Sequence, residues 1–344
     1  MTDASSTAPI DTDVVIVGAG PIGLFAIFQL GMLKICCHIV DSLEEVGGQC
    51  TALYPEKPIF DIPAHPRIDG AALIENLETQ AAPFHPTYHL NQQVTGLTPR
   101  PDGGFDIETS TGTQIRCKAV VIAAGGGAFG PNRPPLDGLA DYEGRSVFYM
   151  VKRREDFRGK RIVIAGGGDS AVDWAVSLPE VADKVYVVHR RDKFRAAPDM
   201  VDRMAAWVAA GKLELVTPCQ LSGLDGADGK LTAVRVKDLD GNERVLDADI
   251  LLPFFGLAAK LGPIENWGFP VDKHTIPVDR ATCETPLPGV FAIGDVAQYE
   301  GKLKLILQGF ADAAAAAHKI HGIVYPDEAL HFEYSTTKGV PGEK

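Results

Sequence analysis

Asp13-Val-Val-Ile-Val-Gly18-Ala-Gly20-Pro-Ile-Gly23 is the stretch that decides the fold. Four branched apolar residues in a row predict a strand buried on both faces, and the glycines behind them predict a tight turn that opens a helix. The apolar run from Val14 to Leu33 has membrane-spanning length. Gly18, Gly20, Pro21 and Gly23 interrupt it where a spanning helix would need continuity, so strand, turn and helix is the better reading. In this G-x-G-x-x-G pattern Gly18 permits the turn, Gly20 lets a pyrophosphate approach the backbone, and Gly23 lets helix pack on strand. The pyrophosphate then sits on a helix N-terminus, whose free N–H groups attract anions. A second strand, Cys36 to Val40, leads to Asp41, where an acid accepts the hydroxyl protons of a ribose.

The pattern recurs. Lys160-Arg-Ile-Val-Ile-Ala-Gly166-Gly-Gly168-Asp169-Ser170-Ala171 is again strand and glycine turn, with the permitted alanine at the third position, and Lys184 to Val188 is its second strand. That strand ends in His189-Arg190-Arg191, with Lys193 and Arg195 following, where the first unit has its acid. A carboxylate there repels a 2′-phosphate, whereas guanidinium groups bind one bidentately, so the second site is read as selecting NADPH. His189 is read as an ordinary surface histidine. Two such units predict an α/β chain with two Rossmann-like dinucleotide-binding domains. Ala119 to Ala124 and Gly289 to Ile293 read as further buried strands, and turn residues at Asp102–Gly104 and Asp240–Gly241 as small β-meanders.

The net charge of −12 argues against a protein that coats nucleic acid or an anionic membrane. Residues before Asp13 are small and polar, without the positive start of a secretory signal. Six cysteines, at 36, 37, 50, 117, 219 and 283, form no C-x-x-C and no zinc spacing. A reducing, cytoplasmic setting and no metal site are expected.

Gly47-Gly-Gln49-Cys-Thr-Ala-Leu-Tyr54, Gly166-Gly-Gly-Asp-Ser-Ala-Val-Asp-Trp174, His189-Arg-Arg-Asp-Lys-Phe-Arg195, Leu261-Gly-Pro-Ile-Glu-Asn-Trp-Gly268, Gly294-Asp295 and Tyr334-Ser-Thr-Thr-Lys338 together resemble the ferredoxin–NADP⁺ reductases of the thioredoxin-reductase-like type. The resemblance covers nearly the whole chain. It implies an FAD domain built from both chain ends, 10–124 and 286–344, with an NADPH domain, 125–285, inserted between them, and a homodimer. It implies further that Gly18, Gly20, Gly23, Asp41, Gln49, Tyr54, Val94, Phe129, Asp295 and Thr336 bind FAD, with Tyr54 and Tyr334 stacked on the flavin. Gly166, Gly168, Asp169, Ser170, Arg190, Arg191 and Arg195 are the corresponding NADPH set.

Thioredoxin reductases carry a redox C-x-x-C before the second glycine turn; here Phe148 to Phe157 holds no cysteine. Cys50 stands alone after Gly47-Gly48-Gln49, without the resolving partner that disulfide exchange needs, and reads as structural. The resemblance therefore implies hydride transfer from NADPH to FAD and single-electron transfer to an acidic ferredoxin, with no protein acid or base. Two basic clusters are candidate docking patches: Lys152, Arg153, Arg154, Arg158, Lys160 and Arg161, or Lys302 with Lys304. Competing readings are a reductase of flavodoxin, quinone or another acceptor, and a non-catalytic FAD and NADPH sensor.

Overall fold

The computed structural model describes residues 8–330 and residue 339. The apolar strands named above assemble into two compact units, one made of the chain up to Phe129 and from Ala259 on, the other of Gly130–Ala258.

In the first unit five strands are joined in parallel, in the spatial order Val290–Ala292, Ala119–Ile122, Val14–Val17, Cys37–Val40, Thr87–His89. Counted along the chain this is fifth, fourth, first, second, third, the doubly wound order with its switch point beside the first strand. Val14–Val17 and Ala119–Ile122 are buried at every position, which is why they read as unbroken apolar runs. Alternate residues serve opposite faces. Val14, Ile16, Val121 and Phe291 pack with Leu24, Ile27 and Leu30 of the helix Pro21–Met32, with the helix Gly70–Ala81, and with Ala313 and Ala317 of the helix Ile306–Val324. Val15, Val17, Val120, Ile122 and Val290 pack with Phe105, Ile107 and Ile115 of an antiparallel meander. Each fully buried Val, Leu or Ile contributes about 1.5–3 kcal/mol to that sandwich.

The second unit repeats the plan. Leu213–Val216, Lys184–Val188, Arg161–Ala165 and Ile250–Pro253 form a parallel sheet in that order. Ile162, Ile164, Val185 and Val187 face the helices Asp169–Ser177 and Pro198–Ala209. Val163, Val188 and Leu251 face Val234, Val236 and Leu246 of a three-stranded antiparallel sheet. The turns at Asp102–Gly104 and Asp240–Gly241 join strands of these two antiparallel sheets. Among the described residues no helix is long and apolar enough to cross a membrane.

The unit boundaries differ from those expected, at Phe129 and Ala258 in place of 124 and 285. Packing gives the reason. Leu261, Ile264, Trp267, Phe269 and Ile276 are buried in the first unit's meander-side core, and Gly127 lies so close to the Lys260 backbone that a Cβ there would stand 2.3 Å from its carbonyl oxygen.

At the outer edge of the five-stranded sheet, His38 Nδ1 and His89 Nε2 are 3.0 Å apart and the two rings stack. Burial lowers both pKa values below 6.5, and for His38 the His89 neighbour adds to it. A depressed histidine pKa gives stability that is complete above the unfolded value near 6.5 and is lost as pH falls through the folded values. The urea midpoint is therefore expected to fall between pH 7.5 and pH 5.5, with a smaller fall in His89→Gln. An equal fall in that variant would remove the pair as the cause.

Candidate functional site

At the carboxyl ends of the first unit's central strands lies a cavity of about 360 Å³, walled by Val17, Gly18, Val40, Asp41, Ala123 and Ala124 among others. This is the switch-point crevice where ligands of open α/β sheets bind. Two glycines of the first turn, Gly18 and Gly23, are each required by a different contact. Gly18 has φ +112°, and a Cβ on it would lie 2.5 Å from the Ala123 carbonyl oxygen. A Cβ on Gly23 would lie 2.0 Å from the Gly18 carbonyl oxygen, so helix and turn touch through backbone alone. Gly20 is the opposite case: it caps the helix in ordinary extended backbone, and its Cβ position has no protein atom within 4 Å. The space over Gly20 is a cradle that a side chain would fill.

Asp41 lines the cavity and closes the turn. Its Oδ2 accepts from Ala19 N at 2.6 Å and its Oδ1 from Leu43 N at 2.8 Å. Burial raises its pKa, and these backbone bonds act against the rise. Each oxygen keeps a further lone pair for a hydroxyl donor. Gln49 opens the short helix Gln49–Ala52, and it, Tyr54, Val94 and Asp295 share the cavity wall. Burial pushes the Tyr54 phenol up, and Cys50 and Asp295 add to the shift. Of the remaining expected residues, Phe129 belongs to the strand Ala128–Pro131, but its side chain is outside the described set, and Tyr334 and Thr336 lie outside the described residues.

Several wall residues fall outside the expected FAD-binding set. Gly48, with φ +56°, faces Gly20 so closely that a Cβ on it would be 3.1 Å from the Gly20 Cα. Gln92, Leu261, Ile264 and Ile306 come from segments far apart in the chain. Gln92 Oε1 accepts from the hydroxyls of Thr109, Thr111 and Thr113 at 2.7–2.9 Å, an anchorage that only the folded meander creates.

The second unit carries its own turn. Gly166 meets the Phe254 carbonyl oxygen at 2.5 Å from a built Cβ, while Gly168, before Asp169 and Ser170 at the helix start, has open space. Gly167 is also constrained: a Cβ there would stand 2.4 Å from the His189 ring. His189 is thus no ordinary surface histidine. It is half-buried, packs on Phe194 with ring centroids 5.3 Å apart, and its pKa is lowered by burial and then by Arg190, Arg191 and Arg195. Those three guanidinium groups are exposed, and among the described residues no carboxylate pairs with them. Positive charge concentrated beside a glycine turn attracts anions.

The family profile described as pyridine nucleotide-disulphide oxidoreductase matches residues 12–318, both turns included. The chain belongs to that family. The chain is similar to the ferredoxin–NADP reductases of Rhodospirillum rubrum, 60% identical over 98% of this chain and 99% of that protein, and of Acidiphilium cryptum, 62% identical over 97% and 98%. Among solved structures, the thioredoxin reductase of Lactococcus lactis superposes with a TM-score of 0.76 at 26% identity, over 92% of this chain and 99% of that one. The chain is a ferredoxin–NADP reductase relative of thioredoxin-reductase-like build.

Against that background the cysteines matter. Cys219 is the one cysteine in Gly130–Ala258, so the second unit holds no dithiol. Cys50 is 1% exposed, its thiol is pushed up by burial, and it donates to the Tyr54 hydroxyl at 3.9 Å. Such a thiol is a poor nucleophile.

Both basic clusters change on folding. Arg153 pairs with Asp156, Arg154 with Glu180, Arg158 with Glu155, and Arg161 with Asp249, so most of the first cluster is neutralised locally. Lys302 is withdrawn from the second: its ammonium is inside, on Asp312, and Lys304 alone stays exposed.

Proposed function

We propose that this protein is an FAD-dependent ferredoxin–NADP reductase, with FAD in the first unit and NADPH on the second. One observation carries the reading. Two copies of a single architecture differ at and just beyond the end of the second strand, where one has a half-buried carboxylate and the other three guanidinium groups that no carboxylate pairs among the described residues.

FAD fits the first cavity because the cradle over Gly20 leaves room for a pyrophosphate against the helix N-terminus. Asp41 takes the adenosine ribose, and Val94 the adenine side. Gln49 and Tyr54 line the isoalloxazine, and Asp295 holds the ribityl chain. Phe129, Thr336 and Tyr334 complete the set, Tyr334 covering the second ring face. On the second unit the Gly166–Gly168 turn with Asp169 and Ser170 takes the NADPH pyrophosphate, and Arg190, Arg191 and Arg195 grip the 2′-phosphate. When bound, FAD would supply the chemistry of hydride acceptance from NADPH and single-electron transfer to ferredoxin. The chain's residues bind, orient and exclude water; no side chain is needed as acid or base. With no dithiol available in the second unit, electrons leave from the flavin directly. The acceptor is an acidic iron–sulfur protein, and the working form is a cytoplasmic homodimer.

Anaerobic stopped-flow mixing of the FAD-loaded protein with NADPH tests this. Rapid bleaching of the flavin band is expected, and a flavin that stays oxidised would leave only the sensor reading.

A further inference from the structure

Lys302 and Asp312 form an ion pair with side chains only 1% and 4% exposed. Asp312 stands in the second turn of the helix Ile306–Val324, and its carboxylate is fully engaged. Oδ2 accepts from Lys302 Nζ and, at 3.0 Å, from Gly294 N; Oδ1 accepts from the Tyr299 hydroxyl at 2.7 Å. The network extends outward. Gln308 Nε2 donates to the Tyr299 oxygen at 2.9 Å, and Gln308 Oε1 accepts from Leu303 N at 2.8 Å. Lys302 Nζ also lies 5.4 Å from the Tyr299 ring centroid.

Gly294, Asp295 and Ile306 all line the cavity. Asp312 is therefore one hydrogen bond behind its wall. The helix reaches this position because Gly309 has no side chain; a Cβ there would meet Ile22 at 2.5 Å and the Gly294 Cα at 3.3 Å.

Stability alone is a weak reason for such a pair. Desolvating two charges costs about what their attraction returns, and apolar residues of similar size often serve as well. A closed pair does have an electrical consequence: it places a hydrogen-bonding carboxylate behind the turn while adding no net charge to the site.

We infer that Asp312 is a positioning residue for the Gly294–Asp295 turn, and that Lys302 cancels its charge so that the pair holds the turn without shifting the reduction potential of the flavin. The inference rests on the FAD assignment above. Hydride transfer moves two electrons and one proton from NADPH to the flavin and releases NADP⁺, leaving the flavin more negative. A bare carboxylate behind the wall opposes that change and a bare ammonium favours it. One unit charge about 10 Å away at an effective dielectric near 20 shifts such an equilibrium roughly tenfold.

The test is the midpoint potential of the FAD-loaded protein, measured by spectroelectrochemical titration with FAD content and thermal midpoint recorded alongside. Lys302→Met should lower the potential, Asp312→Asn should raise it, and the double variant should return near the wild-type value. General loosening of the site moves both single variants the same way. Shifts of one sign, or none, would overturn the inference. Tyr299→Phe is the second route if a charge-removing variant fails to fold: it takes one donor from Asp312 and keeps both charges. A small lowering is expected, and an unchanged potential counts against the proposal. Wild-type protein that takes up no FAD would instead refute the underlying assignment, before any variant is compared.

Discussion

Replacing Arg190 and Arg191 together by alanine is expected to raise the Michaelis constant for NADPH about a hundredfold or more, at low ionic strength, while NADH kinetics stay within about twofold. Hydrogen bonds to charged groups are worth about 1.5–3 kcal/mol each, so losing two removes at least two powers of ten. Both side chains are exposed, and salt should narrow the difference, because screened charges lose their pull on a solvated phosphate. Stability should hardly change, since neither arginine has a partner among the described residues whose loss would be felt. Steady-state kinetics with both nucleotides decides the matter. Equal losses with NADPH and NADH would refute the 2′-phosphate role.

The second large effect separates binding from folding inside a single turn. Gly20→Val introduces a side chain where the protein has no atom within 4 Å, on backbone with φ −70°, so the chain should fold with a thermal midpoint near that of wild type measured without FAD. The added methyl groups occupy the cradle and deny the pyrophosphate its N–H groups. FAD affinity should fall at least about a hundredfold by the same per-bond arithmetic. Gly23→Ala should do the reverse. Its Cβ would stand 2.0 Å from a backbone oxygen that cannot turn aside, and the cost is about 1–3 kcal/mol of stability or more. Urea unfolding and FAD titration of the two purified variants give the comparison. Normal FAD uptake by Gly20→Val would move the cofactor away from this turn.

The parts of this architecture that were legible in the sequence are those set by local chemistry. Val14–Val17 and Arg161–Ala165 announce themselves because a strand buried on both faces needs apolar residues in succession. Gly18 and Gly23 are visible through their spacing behind the strand: Gly18 takes the left-handed φ of +112° that favours glycine, and Gly23 packs on the Gly18 carbonyl oxygen within the same turn. Asp41 and Arg190 are legible as a contrast, at equivalent places in a repeated unit. What escaped depends on contacts between distant segments. Gly167 is constrained by the His189 ring, 22 residues on, and nothing local to either residue says so. Leu261, Ile264 and Trp267 recur every third residue, but so short a run does not say which unit it serves, so their allegiance to the first unit appears only when the meander-side core is seen. Lys302 and Lys304 looked equivalent two residues apart; Asp312, on the next helix, draws one of them inside.

Ferredoxin-dependent reduction of cytochrome c tests the central claim most directly, run with the FAD-loaded protein, NADPH and a purified acidic ferredoxin. The rate should rise with ferredoxin and saturate, and it should persist in Cys50→Ser, because electrons pass from flavin to ferredoxin without a protein disulfide. A rate that is the same when ferredoxin is omitted would contradict the account.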